Sequence, residues 1–329
     1  MKLSRKAVLS ALISALIVAA AAPAVAQGQN YPSRLIKIIV PFPPGGNPDL
    51  AARLVANRMS IDFNQTVIIE NKPGANGGIG ANVVAKAEPD GYTLLVANLG
   101  ILGVNPVVRE HLPYDTSKDF VPVSRLAISP LLLIVNSSLE IKTVQDLIAA
   151  AKKDPGKLTF ATAGVGSAAH MAAALFDQMA GVQMLHVPYK GASEAAPATA
   201  AGNVSVTFGG QGAAWPLVAA GTVKALGLTG SKRSPTHPDV PTVAEAGVSG
   251  YEIADWVGML APAGTPQLIV EKLNAEVQKA LTDPDTQKKF ELQGLEPAGT
   301  SAKDFAAFID AEQKKWDEVA KRDNIRVND

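Results

Sequence analysis

IKIIVPFPPGGNPDLAAR, residues 36–53, joins a short apolar run to an amphipathic helical pattern through a loop rich in proline and glycine. The prolines restrict the backbone, whereas Gly45 and Gly46 permit positive φ angles. Asn47 followed by Pro48 predicts an N-cap and a first helical residue. Because exposed N–H groups at a helix start attract carboxylate or phosphate, this loop predicts an anion site, with a purely structural turn as the alternative.

Two more residues of this segment are candidate ligand contacts. Asp49 falls in the first turn of the predicted helix, where a carboxylate stabilises the helix dipole. Capping is therefore its favoured role, and direct ligand contact is the alternative. Phe42 is a candidate apolar wall beside the anion.

The first 26 residues predict an export signal, with a basic start, an apolar stretch and the small residues Ala24-Val25-Ala26. We expect cleavage after Ala26 and a periplasmic protein. The chain contains no cysteine. It therefore offers no disulfide, no thiolate metal site and no attachment point for a lipoprotein anchor.

Charge argues against a nucleic-acid partner. The chain has 30 basic and 30 acidic residues, and loss of Lys2, Arg5 and Lys6 with the signal leaves 27 against 30. The mature protein should be slightly acidic and lacks a basic stripe.

Short β-rich runs alternate with glycine-rich turns and helical patterns: IKIIV, TVIIE, YTLLVAN, LTFATA, VSVTF and VKALGLT. This alternation predicts an α/β fold with largely parallel sheets. Apolar residues at Ile269, Leu273, Val277 and Leu281 predict a helix, and a second helix should begin near Ser301.

Two long extended stretches, residues 121–135 and 253–262, divide the chain into a first third, a middle and a tail. If both cross between lobes, the protein is a two-lobed clamp. We then expect domain I at 27–126 plus 253–329 and domain II at 127–252. One continuous domain is the alternative.

Further candidates for ligand binding stand at strand ends, where open α/β sheets usually bind ligands. Asn98 follows the run YTLLVAN. Gly164, Gly166 and Ser167 follow LTFATA and open a helix, with His170 one turn on, although packing or solvation is the favoured alternative for this histidine.

The remaining candidates lie later in the middle segment. Ala192 precedes Ser193, which is the expected N-cap of the next helix. The turn after VSVTF adds four candidates, which are Phe208, Gly209, Gly210 and Gln211.

Motifs for catalysis are missing from the sequence. It contains neither G-x-S-x-G nor H-E-x-x-H, and its four histidines show no metal-ligand spacing. Gly164, Gly166 and Ala169 match a dinucleotide fingerprint only weakly, because LHVPYK lacks the acidic residue for the ribose. We therefore expect no enzyme, no metal and no cofactor. A hydrolase using Ser167 and His170 is a minor alternative.

Taken together, five segments resemble the periplasmic substrate-binding proteins of tripartite tricarboxylate transporters, the Bug family. They are YPSRLIKIIVPFPPGGNPDLAAR, VIIENKPGANGGIGANVVAKAEPDGYTLLVAN, LTFATAGVGSAAH, VPYKG and VKALGLTGSKRSPTHPDVPTVAEAG. The resemblance implies a two-lobed Venus-flytrap fold, type II-like, with two crossover strands and a mainly parallel sheet in each lobe. It also implies a monomer that captures an organic carboxylate and delivers it to the integral-membrane permease subunits.

In this family, the loops matching residues 42–49, 164–170 and 208–211 carry the ligand. Two departures stand out. GNVSVTF places Ser205 where the family commonly has an acidic residue, which we expect to alter the cleft, and Asn47 replaces a common Ser or Thr. Some relatives are thought to serve a sensor kinase, which is a further alternative for this chain.

Overall fold

The computed structural model describes residues 31–322 and 325–326, so the predicted export signal lies outside the described residues. The first part of the chain alternates strands with helices: β1 (Ile36–Val40), α1 (Asn47–Phe63), β2 (Val67–Asn71), a 3-10 turn (Ala75–Gly77), α2 (Gly78–Ala85), β3 (Thr93–Asn98), a π-helical turn (Gly100–Val104) and α3 (Asn105–Val108).

The middle of the chain begins with the long strand β4 (Phe120–Asn136). After it come α4 (Val144–Lys153), β5 (Thr159–Thr162), α5 (Ala168–Ala180), β6 (Leu185–Pro188), α6 (Ala192–Ala200), β7 (Val206–Gly210), α7 (Gln211–Ala219) and β8 (Val223–Leu228). The tail consists of β9 (Ala254–Pro262), α8 (Gln267–Thr282), α9 (Pro284–Leu292), β10 (Glu296–Pro297) and α10 (Ala302–Arg322).

The first lobe is built on the strand order β2-β1-β3-β9-β4, with β10 paired to β4. β1 runs parallel to β2 and β3, whereas β9 is antiparallel to both β3 and β4. In the second lobe β5 runs parallel to β6 and β7, and β4 lies antiparallel to β7 and β8. Each lobe thus has a parallel set of strands beside an antiparallel crossing strand.

Strand β4 belongs to both sheets. Residues 120–130 pair with β9, and residues 131–136 pair with β7 and β8. The return to the first lobe occurs before β9, where the Ile253 N–H donates to the Thr229 carbonyl at 2.9 Å. Both predicted extended stretches and the two-lobed fold are confirmed. The residue boundaries of the two domains stay a prediction.

Helix burial follows the predicted periodicity. Ile269, Leu273, Val277 and Leu281 of α8 are all buried. In α10 the buried positions include Phe305, Ile309, Trp316 and Val319. No helix among the described residues is long and apolar enough to cross a membrane.

Candidate functional site

A cavity of about 80 Å³ lies between the lobes, at the ends of β1, β3 and β7. A single water needs roughly 10–15 Å³ by this kind of measure, so the cavity has room for several water molecules. Its first-lobe side, the first wall, comprises Phe42, Pro43, Gly45, Gly46, Asn47, Pro48, Leu50, Asn76, Asn98 and Asp255. Its second-lobe side, the second wall, comprises Leu131, Ala163, Ser167, Ala168, Ala169, Ala192, Ser193, Ala195, Phe208, Gly209, Gly210 and Ala213.

The proline-glycine loop forms much of the first wall. Gly45 has φ +89°, the left-handed region that favours glycine, and Gly46 is the N-cap of α1. The predicted N-cap at Asn47 is therefore wrong by one residue. The reason is that the Asn47 amide donates to Ser129 Oγ at 2.7 Å on β4 instead of capping its own helix.

Asp49 braces this loop from behind and does not line the cavity. Its carboxylate accepts hydrogen bonds from the Gly45 N–H at 3.0 Å, from Arg53 Nε at 2.9 Å and from Asn71 Nδ2 at 2.9 Å. Burial raises its pKa, but the hydrogen bonds from Arg53, Gly45 and Asn71 outweigh that effect and hold the pKa below its usual value. Asp49 thus has a structural role, but through these loop and side-chain contacts and not through the capping that the sequence favoured.

At the end of β3, Asn98 meets a carboxyl group that was not among the predicted site residues. Asn98 Nδ2 donates to Asp255 Oδ2 at 3.2 Å, and both side chains are buried in the cavity wall. Burial raises the pKa of Asp255 to about 7, and hydrogen bonds from Asn98 and the neighbouring backbone only partly oppose this.

The second wall is mostly backbone. Ser167, which was expected to open a helix, is the N-cap of α5, and its hydroxyl accepts from the His170 N–H at 3.3 Å. Ala168 and Ala169 follow in the first turn, where the N–H groups have no partner within the helix. Gly164 and Gly166, at φ +108° and +80°, shape this turn without lining the cavity.

His170 lies outside the cavity lining, in a stack of rings. Its ring is 4.3 Å from the His186 ring, and its Nδ1 accepts from the Gly166 N–H at 3.2 Å. Burial lowers the pKa of His170 to about 3, with a contribution from His186. The imidazole is thus neutral and bonded to backbone, and the Ser167 hydroxyl is engaged with backbone as well.

Helices α6 and α7 complete the second wall. The N-cap of α6 is Gly191, so the predicted cap at Ser193 is wrong, because the chain enters the helix two residues earlier. Ala192 and Ser193 occupy its first turn and line the cavity. Gln211 begins α7 directly after β7 and turns away, donating through Nε2 to the Pro130 carbonyl at 3.1 Å.

Ser205, which replaces an acidic residue common in the family, does not line the cavity. Ser205 precedes β7, at the end of that strand remote from Gly209 and Gly210, and its hydroxyl accepts from the Thr159 N–H at 3.2 Å. Its effect is on the pairing of β5 with β7, so the expected change at the cleft was wrong.

Ten of the fifteen predicted site residues line the cavity: Phe42, Gly45, Gly46, Asn47, Asn98, Ser167, Ala192, Phe208, Gly209 and Gly210. Five do not: Asp49, Gly164, Gly166, His170 and Gln211. The main additions are Asn76, Asp255 and the first-turn residues Ala168, Ala169 and Ser193. Of these, only Ala168 and Ala169 carried a usable signal, because they follow Ser167, which was expected to open a helix.

The electrostatics of the cavity come from dipoles. Among the residues that the structure describes, those lining it include no Lys, Arg or His, and no cluster of His, Asp or Glu is placed to hold a metal ion. Instead, the N-terminal turns of α1, α5 and α6 all border the cavity. Each such terminus favours an anion by roughly 0.3–1 kcal/mol, and by up to about 2 kcal/mol when partly buried.

The two lobes touch beside the cavity. Asn76 Nδ2 donates to the Val165 carbonyl of the second lobe at 3.2 Å and to Asn105 Oδ1 at 2.9 Å. A Cβ atom on Gly191 of the second lobe would lie 3.3 Å from Pro43 Cγ of the first lobe. The lobes are therefore closed on each other in this structure.

The sequence of this two-lobed chain matches a known protein family over most of its length. The profile of the "Tripartite tricarboxylate transporter family receptor" covers residues 51–325. The chain belongs to this receptor family. Protein BugT of Bordetella pertussis is 33% identical over 97% of this chain and 98% of its own length.

Two solved structures are also similar to this chain. The Rhodopseudomonas palustris protein Rpa4515 with adipate is 39% identical, with a TM-score of 0.87 over 90% of this chain and 99% of its own. MatC from the same organism, with bound malate, is 34% identical, with a TM-score of 0.81 over 88% and 99%.

Proposed function

We propose that this receptor captures an organic carboxylate in the cavity between its lobes and delivers it to the permease of a tripartite tricarboxylate transporter. The observation that carries the proposal is the cavity lining, in which helix N-termini and side-chain amides stand where a cation would otherwise neutralise an anion. The adipate and malate bound by similar receptors support a di- or tricarboxylate ligand. An aromatic carboxylate is the alternative within the same class.

We further propose that the protein is a periplasmic receptor without catalytic activity, exported by the predicted signal. The Ser167 and His170 side chains support this, because each is bonded to backbone and neither is arranged to activate the other. Domain I is proposed at 27–126 plus 253–329, and domain II at 127–252. The predicted ligand residues that line the cavity are proposed as contacts, and the other five as supports.

Calorimetric titration with adipate, malate, citrate and terephthalate tests the proposal. We expect at least one to bind with a Kd near 1 μM or tighter, which corresponds to about −8 kcal/mol. Incubation of the bound acid with the protein should return it chemically unchanged. Silence of all four acids at every pH tested would overturn carboxylate capture.

Gly46→Val locates the binding site within the chain. Gly46 has φ −81°, and an added Cβ would meet only Pro48 Cδ, at 3.8 Å, so the fold tolerates a side chain there. We expect binding of the acid to weaken at least about tenfold while the free energy of unfolding changes by less than about 1 kcal/mol.

Gly45→Ala is the contrasting control. Its Cβ would meet nothing within 4 Å, but its φ of +89° is costly for alanine. We expect a loss of stability of about 1–2 kcal/mol with a smaller change in affinity. Equal affinities of wild type and Gly46→Val would place the ligand elsewhere.

A further inference from the structure

Asp255 is the one ionisable side chain among the described residues that line the cavity. It lies at the start of β9, where the chain has just returned to the first lobe, opposite Ser129 of β4. The residue is 6% exposed. A site argued to hold an anion thus contains a buried acid and no base.

The groups that face Asp255 do not neutralise it. Asn98 on β3 donates one hydrogen bond to Oδ2, and the Trp256 N–H donates one to Oδ1 at 3.0 Å. Ser129 on β4 is uncharged. From α10, Glu312 acts on Asp255 as a second negative charge, while its own carboxylate accepts from the Trp256 indole at 2.9 Å.

Glu312 in turn lies 3.9 Å from the partly exposed Lys315 and also interacts with Arg125 of β4, so the basic groups in this neighbourhood act on Glu312. An ionised ligand carboxylate entering the cavity would add a third negative charge. Like charges in one poorly solvated site cannot all stay ionised, and one carboxyl then retains a proton.

We propose that Asp255 takes up one proton from solvent as the lobes close on a carboxylate, and that the resulting carboxyl group donates its hydrogen to a ligand oxygen. The inference rests on the proposed function, which it deepens. It makes Asp255 a hydrogen-bond donor that selects for fully ionised carboxylates and couples their capture to proton uptake. Because the pKa of Asp255 is raised to about 7 in the ligand-free protein, the proton uptake should occur near neutral pH.

The experiment is a calorimetric titration of the full protein with adipate and, separately, malate from pH 6 to pH 9. For wild type we expect the Kd to rise by up to about tenfold per pH unit above pH 7, because a proton must then be drawn from solvent. At pH 8, comparison of phosphate with Tris buffer should show uptake of about one proton per ligand bound.

Asp255→Asn mimics the protonated carboxyl, because its amide also donates. We expect this variant to bind within about fivefold of wild type at pH 6 and to change less than about threefold up to pH 9. Asp177→Asn is the matched control. Burial also raises the pKa of Asp177 to about 7, but this residue lies in α5 outside the cavity lining, so its variant should keep the pH dependence of wild type.

The outcomes separate the two proposals. Wild-type binding that is tight but flat with pH, without proton uptake, overturns the role of Asp255 and leaves carboxylate capture standing. Loss of binding by Asp255→Asn at pH 6 also overturns it. Silence of both acids at every pH overturns carboxylate capture and, with it, this inference.

Discussion

The two walls of the cavity are built from different chemistry. The first wall presents side chains, namely the amides of Asn47, Asn76 and Asn98 and the carboxyl group of Asp255. The second wall presents small residues, mainly Ala, Gly and Ser, and Ser167 and Ser193 are its polar side chains. The difference means that a ligand meets fixed amide groups on one side and bare helix N-termini on the other.

This contrast separates two tasks. Small residues let a ligand approach the N–H groups of α5 and α6 closely, which gives affinity for any carboxylate. Side-chain amides donate and accept in fixed directions, so the first wall is suited to distinguishing one carboxylate from another. Bulk added to the second wall should therefore harm all ligands, whereas changes in the first wall should alter preference or pH response.

Ala192→Leu should have the largest effect. Ala192 is exposed, is the first residue of α6 and lines the cavity, so a leucine side chain would occupy ligand space. We expect adipate affinity to fall at least about 100-fold, or about 2.7 kcal/mol. The free energy of unfolding should change by less than about 0.5 kcal/mol in urea denaturation.

Ala201→Leu serves as its control. Ala201 is exposed at the opposite end of α6, at φ −74°, and does not line the cavity. We expect wild-type affinity in this variant. An equal loss in both variants would show that the helix, not the second wall, is sensitive to leucine.

Asp255→Asn should change the pH dependence of stability in the ligand-free protein. The folded-state pKa of Asp255, about 7, lies above the value of 3.8 for an exposed carboxyl. Its contribution is therefore favourable at low pH and is lost as pH rises from 3.8 to about 7. We expect the variant to match wild type near pH 4 and to be more stable by at least about 2 kcal/mol at pH 8.

Urea denaturation of both proteins at pH 4 and pH 8 measures this difference. Subtracting the free energies of unfolding of the two proteins at the same pH cancels the contributions of Asp177 and Glu276, whose pKa values burial also raises to about 7. A variant less stable than wild type at pH 8 would show that Asp255 is held ionised by a partner.

The first wall also shows what local sequence can predict. The loop before α1 was predictable because Pro, Gly and Asn determine a turn within a few residues. Ser167 was predictable as an N-cap for the same reason. Both features depend on nearest neighbours along the chain.

Asp255 was not predictable, although the strand that carries it was. Period-2 alternation indicates a strand, but which face meets the cavity depends on the register of β9 against β3 and β4. Gln211 and His170 show the converse error. Both follow strand ends as ligand residues do, yet tertiary contacts with Pro130 and His186 turn them away.

Asp49→Asn tests whether the first wall needs its brace. Because the folded-state pKa of Asp49 is lowered, its contribution is present above pH 3.8 and is lost as pH falls below that value. The amide of the variant keeps one oxygen that can accept a hydrogen bond. Its NH2 group replaces the other oxygen and then faces the N–H donor of Asn71 or Arg53. We expect about 1.5 kcal/mol lower stability at pH 7, a deficit that shrinks below pH 3.8, measured by urea denaturation.

Asp304→Asn is the control for a first-turn carboxylate without a brace. Asp304 lies in the exposed first turn of α10, bonded to Ser301. We expect a stability change of less than about 0.5 kcal/mol and wild-type adipate affinity. A similar loss in both variants would assign the effect of Asp49 to the helix dipole alone.

Asn76→Gly should have the smallest effect, because it removes one hydrogen bond between the two lobes. Asn76 has φ +47°, a conformation that glycine adopts without strain. The substitution therefore removes the side-chain amide without straining the backbone. Loss of its hydrogen bond to the Val165 carbonyl should destabilise the closed state by about 1 kcal/mol. We therefore expect the adipate dissociation rate, measured by stopped flow, to rise about fivefold. Asn76→Ala should give the same rate with lower stability, since alanine is strained at this φ. If glycine kept the wild-type rate and only alanine changed it, backbone strain and not the bridging amide would link the two walls.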